Sequence, residues 1–141
     1  MKTARVAYRC AIHSAAPHPA GLQLTDGRVL AEQDVVWLPP FEGGTIIALG
    51  LNYADPVAEL RKDLTVTAQD EPLVVPKGPG SLIGHRGETR RPAGGACMHC
   101  DCELAVVIDR TAKSVEAADA MAHVAGCTVC TDYAIRDCLE N

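Results

Sequence analysis

Aromatic residues are scarce in this sequence. One Trp, one Phe and three Tyr make up 4% of the chain, which is little for a protein that has to fill a core. Long hydrophobic runs are missing too. Met1 to Ala16 alternates polar and apolar residues, which excludes a signal peptide or a membrane span there and points to the cytoplasm. There is no excess of positive charge: the formal net charge is -5 and the pI about 5.4. Such a surface has no general attraction for nucleic acid or anionic lipid, so any anion binding must be local. No internal repeat and no low-complexity tract is present. Cysteine, by contrast, is abundant. The seven thiols, an odd number with no secretory signal before them, argue against a disulfide framework and leave free thiols or metal ligands. With 48% hydrophobic and 22% charged residues over 141 positions, the chain has the size and composition of one soluble globular domain.

Along the chain, Val6 to Trp37 reads as a small β unit. Leu22-Gln-Leu24 and Val29-Leu30 flank Thr25-Asp26-Gly27-Arg28, and Asp-Gly between apolar runs predicts a hairpin. Pro39-Pro40 and Gly43-Gly44 mark a seam, dividing an N-terminal β appendage (1–43) from the main body (44–141). Thr45–Leu51 and Leu73–Val75 are strand candidates. Between them, Asp55 and Pro56 suit the cap and first position of a helix that Val57–Lys62 would open. Lys77–Gly95 reads as a long loop whose His85, Arg86, Arg90 and Arg91 are a solvated stretch, with a lid over an anionic substrate as the alternative. Leu104–Ile108 (LAVVI) is the clearest buried strand. Val115–Ala125 is expected to be helical, with Ser114 near its start and Gly126 at its end; Cys127–Thr131 is expected to be extended. Ala134–Asn141 resembles the opening of a helix with no stop signal, which predicts a fragment.

Asp101 and Glu103 stand immediately before LAVVI, and residues two apart in a strand point to one face. Two like charges side by side need a cation or donors to compensate them. Asp132 follows the next strand candidate at a similar position. Three carboxylates from adjacent strand ends would make an all-oxygen site for Mg²⁺ or Mn²⁺, with Ca²⁺ as a third option. Taken alone, the pattern fits a solvated acidic pair better.

The order of several motifs adds to this reading. Gly50-Leu-Asn-Tyr-Ala-Asp55, Glu71-Pro72, Lys77-Gly78-Pro79, Ile83-Gly-His-Arg86, Met98-His99, Glu103-Leu-Ala-Val-Val-Ile108 and Asp132-Tyr-Ala-Ile-Arg-Asp137 follow one another. In this the chain resembles the fumarylacetoacetate hydrolase family from about Thr45 to Asn141, and within it the bacterial branch acting on homoprotocatechuate breakdown products as isomerase and decarboxylase. The resemblance implies an α+β fold, mostly a β mixed-sheet roll, incomplete at the C-terminus. It implies a divalent metal on Asp101, Glu103 and Asp132, with Asp101 one methylene shorter than the family's glutamate. Glu59 and Lys77 are its implied catalytic residues, and Tyr53 and Arg136 its implied substrate contacts. The implied substrate is a small dicarboxylic keto or enol acid, and a homodimer is the family's assembly. Pro56 stands where the family has a histidine, and proline cannot transfer a proton. A copy that has lost activity is therefore the alternative.

The rival from another class is a structural zinc module on Cys97-x-x-Cys100 and Cys127-x-x-Cys130. Against it, 26 residues containing a buried strand separate the pairs, and Gly126–Cys130 alternates like a strand. Relatives carry tyrosine at Cys100, Cys127 and Cys138, so these look like individual replacements of core rings.

Overall fold

The computed structural model describes residues 1–42, 44–50, 73–95 and 97–135. The expected helix opening after Pro56 lies outside them, as does the part of the expected helix opening at Ala134–Asn141 after Ile135; its first two residues, Ala134 and Ile135, are the end of a strand instead. Nine strands and three short 3₁₀ turns are present among the described residues, so the expected mostly-β character holds. All strand pairings among them are antiparallel. The chain divides into two compact units, Met1–Glu88 and Thr89–Asn141.

In the first unit, β1 (Ala4–Tyr8), β2 (Ala11–His18), β3 (Gly21–Leu24), β4 (Val29–Leu30) and β5 (Val36–Leu38) form one sheet in the order β4-β3-β2-β1-β5. Ala15 faces Ala4 on one side and Leu24 on the other, and Val6 faces both His13 and Trp37. Directly opposed residues share a face, so Val6, Ala15, Leu22 and Leu24 point to one side. They are the buried core, together with Val35 and the flanking Tyr8, Leu30 and Trp37. The other face carries Ile12, Val29 and Val36, all exposed. One wet and one packed face is the usual state of an antiparallel sheet.

The expected hairpin at Asp26-Gly27 is present: Leu22 pairs with Leu30, and Gly27 takes φ +87°. Asp26 is clamped by Arg28, whose Nε and Nη2 donate to Oδ2 at 2.9 and 2.6 Å and whose backbone N–H donates to Oδ1 at 3.1 Å. The Arg28 side-chain and backbone bonds hold the Asp26 carboxyl down at about 2. Because its folded pKa is lowered, whatever stability this bond gives is present above the ordinary value of 3.8. It is lost as pH falls through about 2. The carboxyl carbon of Asp26, followed by NMR, should titrate near 2 and move back toward 3.8 in Arg28→Ala. A midpoint unmoved by the substitution would show the clamp absent in solution.

The β1–β2 turn was not foreseen. Arg9 and Cys10 both take positive φ (47° and 63°), the two-residue hairpin geometry that asparagine and glycine normally supply. Arg9 lies over the Tyr8 ring at 5.2 Å and Arg28 at 5.6 Å. Arg5 ties the Pro39–Glu42 segment to β1, donating to the carbonyls of Pro39 (3.2 Å) and Phe41 (2.9 Å) and pairing with Glu42. A second hairpin, β6 (Ile46–Gly50) with β7 (Leu73–Lys77), follows in register Ile46 to Lys77.

The loop after β7 is fastened to the N-terminal sheet. Gly84 seats against the Trp37 carbonyl so closely that a Cβ there would lie 2.0 Å from the oxygen. His85 meets Trp37 edge-on at 5.0 Å, and Arg86 donates to Glu32 at 2.7 Å. His85 and Arg86 remain exposed, as expected of a solvated stretch, and also make these contacts with the sheet.

The second unit is a long ribbon of β8 (Met98–Ile108) and β9 (Val124–Ile135), with a bulge between Val107 and Ile108. Both strands are longer than expected, because the polar residues Met98–Glu103 pair along the whole of Cys130–Ile135. The expected helix at Val115–Ala125 is a correction. Only Ala117–His123 is helical, as a 3₁₀ turn with no side-chain cap, and β9 already begins at Val124. Seven residues with none buried provide too few bonds and no packed face to hold an α-helix. Gly126, expected as a helix stop, pairs with Val107 inside the ribbon.

Candidate metal site

The ribbon sorts its side chains by register. Asp101 is directly opposite Asp132, and Glu103 directly opposite Cys130. Asp101 and Glu103 are two apart, as are Cys130 and Asp132, so all four project from one face. His99, opposite Ala134, lies on that face too. The other face carries Leu104, Val106, Ile108, Val129 and Tyr133, all between 47 and 71% exposed. Glu103 and Asp132, by contrast, are half-buried, while Asp101 is exposed. Carboxylates on the more covered face beside apolar side chains in water invert the ordinary sorting. Like charges opposite one another in a ladder destabilise it unless something of opposite charge lies between them.

The sequence placed these acids at strand ends; the structure places them inside both strands, where the backbone is held by pairing on either side. His99 Nε2 approaches Asp101 Oδ2 at 3.8 Å. Its Nδ1 is buried with no hydrogen-bond partner in the protein, so the ring is only partly satisfied. Among the described residues, no three His, Cys, Asp or Glu side chains are drawn together into a coordination sphere. The donor type nevertheless suits a hard divalent cation, since Asp101, Glu103 and Asp132 are three carboxylates on one face of the ribbon.

Other expected site residues are distributed differently. Lys77 is the last residue of β7, in the first unit, half-buried opposite Ile46. Tyr53, Glu59 and Arg136 lie outside the described residues, as does Pro56. The sequence reading considered Cys130 only as part of the CxxC pairs, whereas the register puts it on the acidic face. Its spacing of two from Asp132 was the available signal, masked by the more conspicuous CxxC pattern.

That pattern does not make a zinc site. Cys127 and Cys130 are three apart in one strand and project to opposite faces. Cys100 faces Tyr133, six residues and about 20 Å along β9 from Cys127. A tetrahedral site with bonds of about 2.3 Å is out of reach without dismantling the ribbon.

Comparison with known proteins agrees with the ribbon and its motifs. Residues 45–141 match the family model described as fumarylacetoacetate (FAA) hydrolase C-terminal. The chain is 46% identical over 127 residues to the 4-hydroxyphenylacetate degradation bifunctional isomerase/decarboxylase of Salmonella dublin, covering 86% of this chain and 28% of the relative. It is 50% identical over 102 residues to the homoprotocatechuate catabolism bifunctional isomerase/decarboxylase of Escherichia coli, covering 72% and 23%. The crystal structure of 5-carboxymethyl-2-hydroxymuconate delta-isomerase from Mycobacterium smegmatis superposes with a TM-score of 0.78 at 27% identity, over 99% of this chain and 57% of that one. The chain thus spans about a quarter of the length of these curated relatives and somewhat over half of the solved one. No helix among the described residues is long and apolar enough to cross a membrane. A family match over more than half of the chain, together with these identities and the shared fold, shows that this protein belongs to the fumarylacetoacetate hydrolase family.

Proposed function

We propose that the chain carries the metal-binding half of an isomerase or decarboxylase site for 2-oxo or 2-hydroxy-dienoic dicarboxylic acids. The observation that carries this reading is the common face of Asp101, Glu103 and Asp132 in the β8–β9 register. These three would hold Mg²⁺ or Mn²⁺. When bound, the ion supplies the positive charge that enolate-forming reactions need at the substrate's oxygen end. Lys77 would bind a substrate carboxylate by charge-assisted hydrogen bonding, and Tyr53 and Arg136 would orient the rest of the diacid. Glu59 would be the remaining proton carrier, acting without the histidine that Pro56 replaces.

Pro56 supports a second reading, in which the chain binds metal and diacid but does not turn the acid over. Spectroscopic decay of the enol form of oxaloacetate, and of a dienoic diacid, separates the two. Under the first reading, the Mn²⁺-loaded full chain accelerates the decay above buffer and metal alone, and chelation removes the acceleration. Metal binding without acceleration selects the second reading, and absence of metal binding rejects both.

A further inference from the structure

We propose that Gly84 is a positioning residue for Lys77, and that the N-terminal sheet, by holding the strap between them, sets a preference for dicarboxylic over monocarboxylic 2-oxo acids. This inference rests on the reading of Lys77 as the partner of a substrate carboxylate and specifies what holds that lysine in place. Lys77 is the last residue of β7 and pairs with Ile46, the first of β6. The end of a two-stranded hairpin frays unless the chain beyond it is tied down. Here that chain is braced. The Gly78 carbonyl accepts from the Ser81 backbone N–H at 3.0 Å and from Ser81 Oγ at 2.7 Å, and Leu82 N–H donates to the Pro79 carbonyl at 3.2 Å. Pro76 and Pro79 fix φ on either side of the lysine.

Gly84 is where this strap meets the sheet, within the same compact unit. A Cβ there would lie 2.0 Å from the Trp37 oxygen, 2.6 Å from its carbonyl carbon and 2.9 Å from the Cα of Leu38. All three are backbone atoms of β5, which cannot swing aside as the tip of a side chain does. β5 is itself fixed by pairing with β1 and by the bonds from Arg5 to the carbonyls of Pro39 and Phe41 just beyond it. After Gly84, Gly87 N–H donates back to the Gly84 carbonyl at 3.0 Å, and Arg86, held at φ +61°, reaches Glu32. That ion pair is exposed and adds little, so the backbone contact at Gly84 carries the fastening. An ammonium discriminates between acids only at hydrogen-bonding distance from the second carboxylate. A displacement of about 1 Å in the chain that carries it is enough to lose the preference.

Calorimetry on the Mn²⁺-loaded full chain, with 2-oxoglutarate and 2-oxobutyrate as probes, tests this. Both present the same 2-oxo carboxylate end to a metal, and only the first has a second carboxylate. The wild type should bind the diacid at least roughly tenfold more tightly, and Lys77→Ala should bring that ratio close to one. Gly84→Ala should bring it within about twofold of one, while the Mn²⁺ and 2-oxobutyrate affinities stay within about twofold of wild type. A purely structural role would lower all three affinities together. Glu32→Arg, which turns the exposed pair into a repulsion without touching β5, should lower the ratio roughly threefold, and adding Arg86→Glu should restore it. A wild-type ratio kept by Gly84→Ala would overturn the inference and leave Lys77 in its role. If Gly84→Ala loses Mn²⁺ binding too, an unchanged ratio in Glu32→Arg overturns it. A wild-type ratio near one, or one that Lys77→Ala does not move, would reject the reading of Lys77 and this inference with it.

Discussion

Replacing Glu103 with alanine is expected to abolish divalent-metal binding, with a loss of at least about 100-fold in Mn²⁺ affinity by calorimetry. Glu103 is central to the candidate site for three reasons. It is half-buried on the more covered face, it is two residues from Asp101, and its cross-strand partner is the thiol rather than a third acid. Removing it leaves Asp101 and Asp132 opposed across the ladder. An exposed aspartate and its partner alone are a poor match to a dication that takes six oxygen ligands. The same substitution relieves like-charge repulsion, so stability without metal should be unchanged or slightly higher. That sign separates loss of a ligand from loss of the fold. Undiminished Mn²⁺ affinity in Glu103→Ala would place the metal somewhere other than this face. Asp101→Glu, which restores the family's longer side chain, should tighten binding, since it adds reach without altering charge.

What sequence reading recovers here depends on whether the determining interaction is local. Asp26-Gly27 announced its hairpin because the turn's positive φ falls on the glycine itself. LAVVI announced a strand by its β-branched run, but not its length, because Met98–Glu103 is extended only through pairing with Cys130–Ile135. The Arg9-Cys10 turn was invisible, since neither residue favours positive φ and the flanking register imposes it. The Ala-rich segment before Val124 has good helix propensity and still forms only a 3₁₀ turn, having no apolar face to bury. For the site, the shared face of Asp101 and Glu103 follows from strand periodicity alone. The pairing of Asp101 with Asp132, and of Glu103 with Cys130, required the register of two strands joined only through the intervening residues 109–123. The CxxC spacing misled for a related reason. Three residues bring two thiols together in a turn and send them to opposite faces in a strand.

Gly21→Ala is expected to cost roughly 3 kcal/mol and to unfold much of the N-terminal sheet at moderate urea. Two effects add at this position. Gly21 takes φ +133°, a conformation in which an L side chain is strained by about 1–3 kcal/mol. Its Cβ would also lie 2.2 Å from the backbone oxygen of Leu30 and 3.1 Å from the Cα of Ala31, an overlap worth a further ~1–3 kcal/mol. Neither contact is the tip of a flexible side chain, so relief requires β4 to move away from β3. That strand is only Val29–Leu30, and moving it uncovers Leu22 and Leu24, two of the five buried core residues. A core this small has little stability to spare. Trp37, the single tryptophan, lies in β5 of the same sheet, so its fluorescence follows this unit. The urea midpoint read from it should fall by roughly 2 M. Gly27→Ala is the control: its φ is +87° but nothing lies within 4 Å of the added Cβ, so only the torsional part remains. Equal midpoints for the two variants would mean that contact with Leu30 adds nothing, and that the β3–β4 edge is looser in solution than its geometry implies.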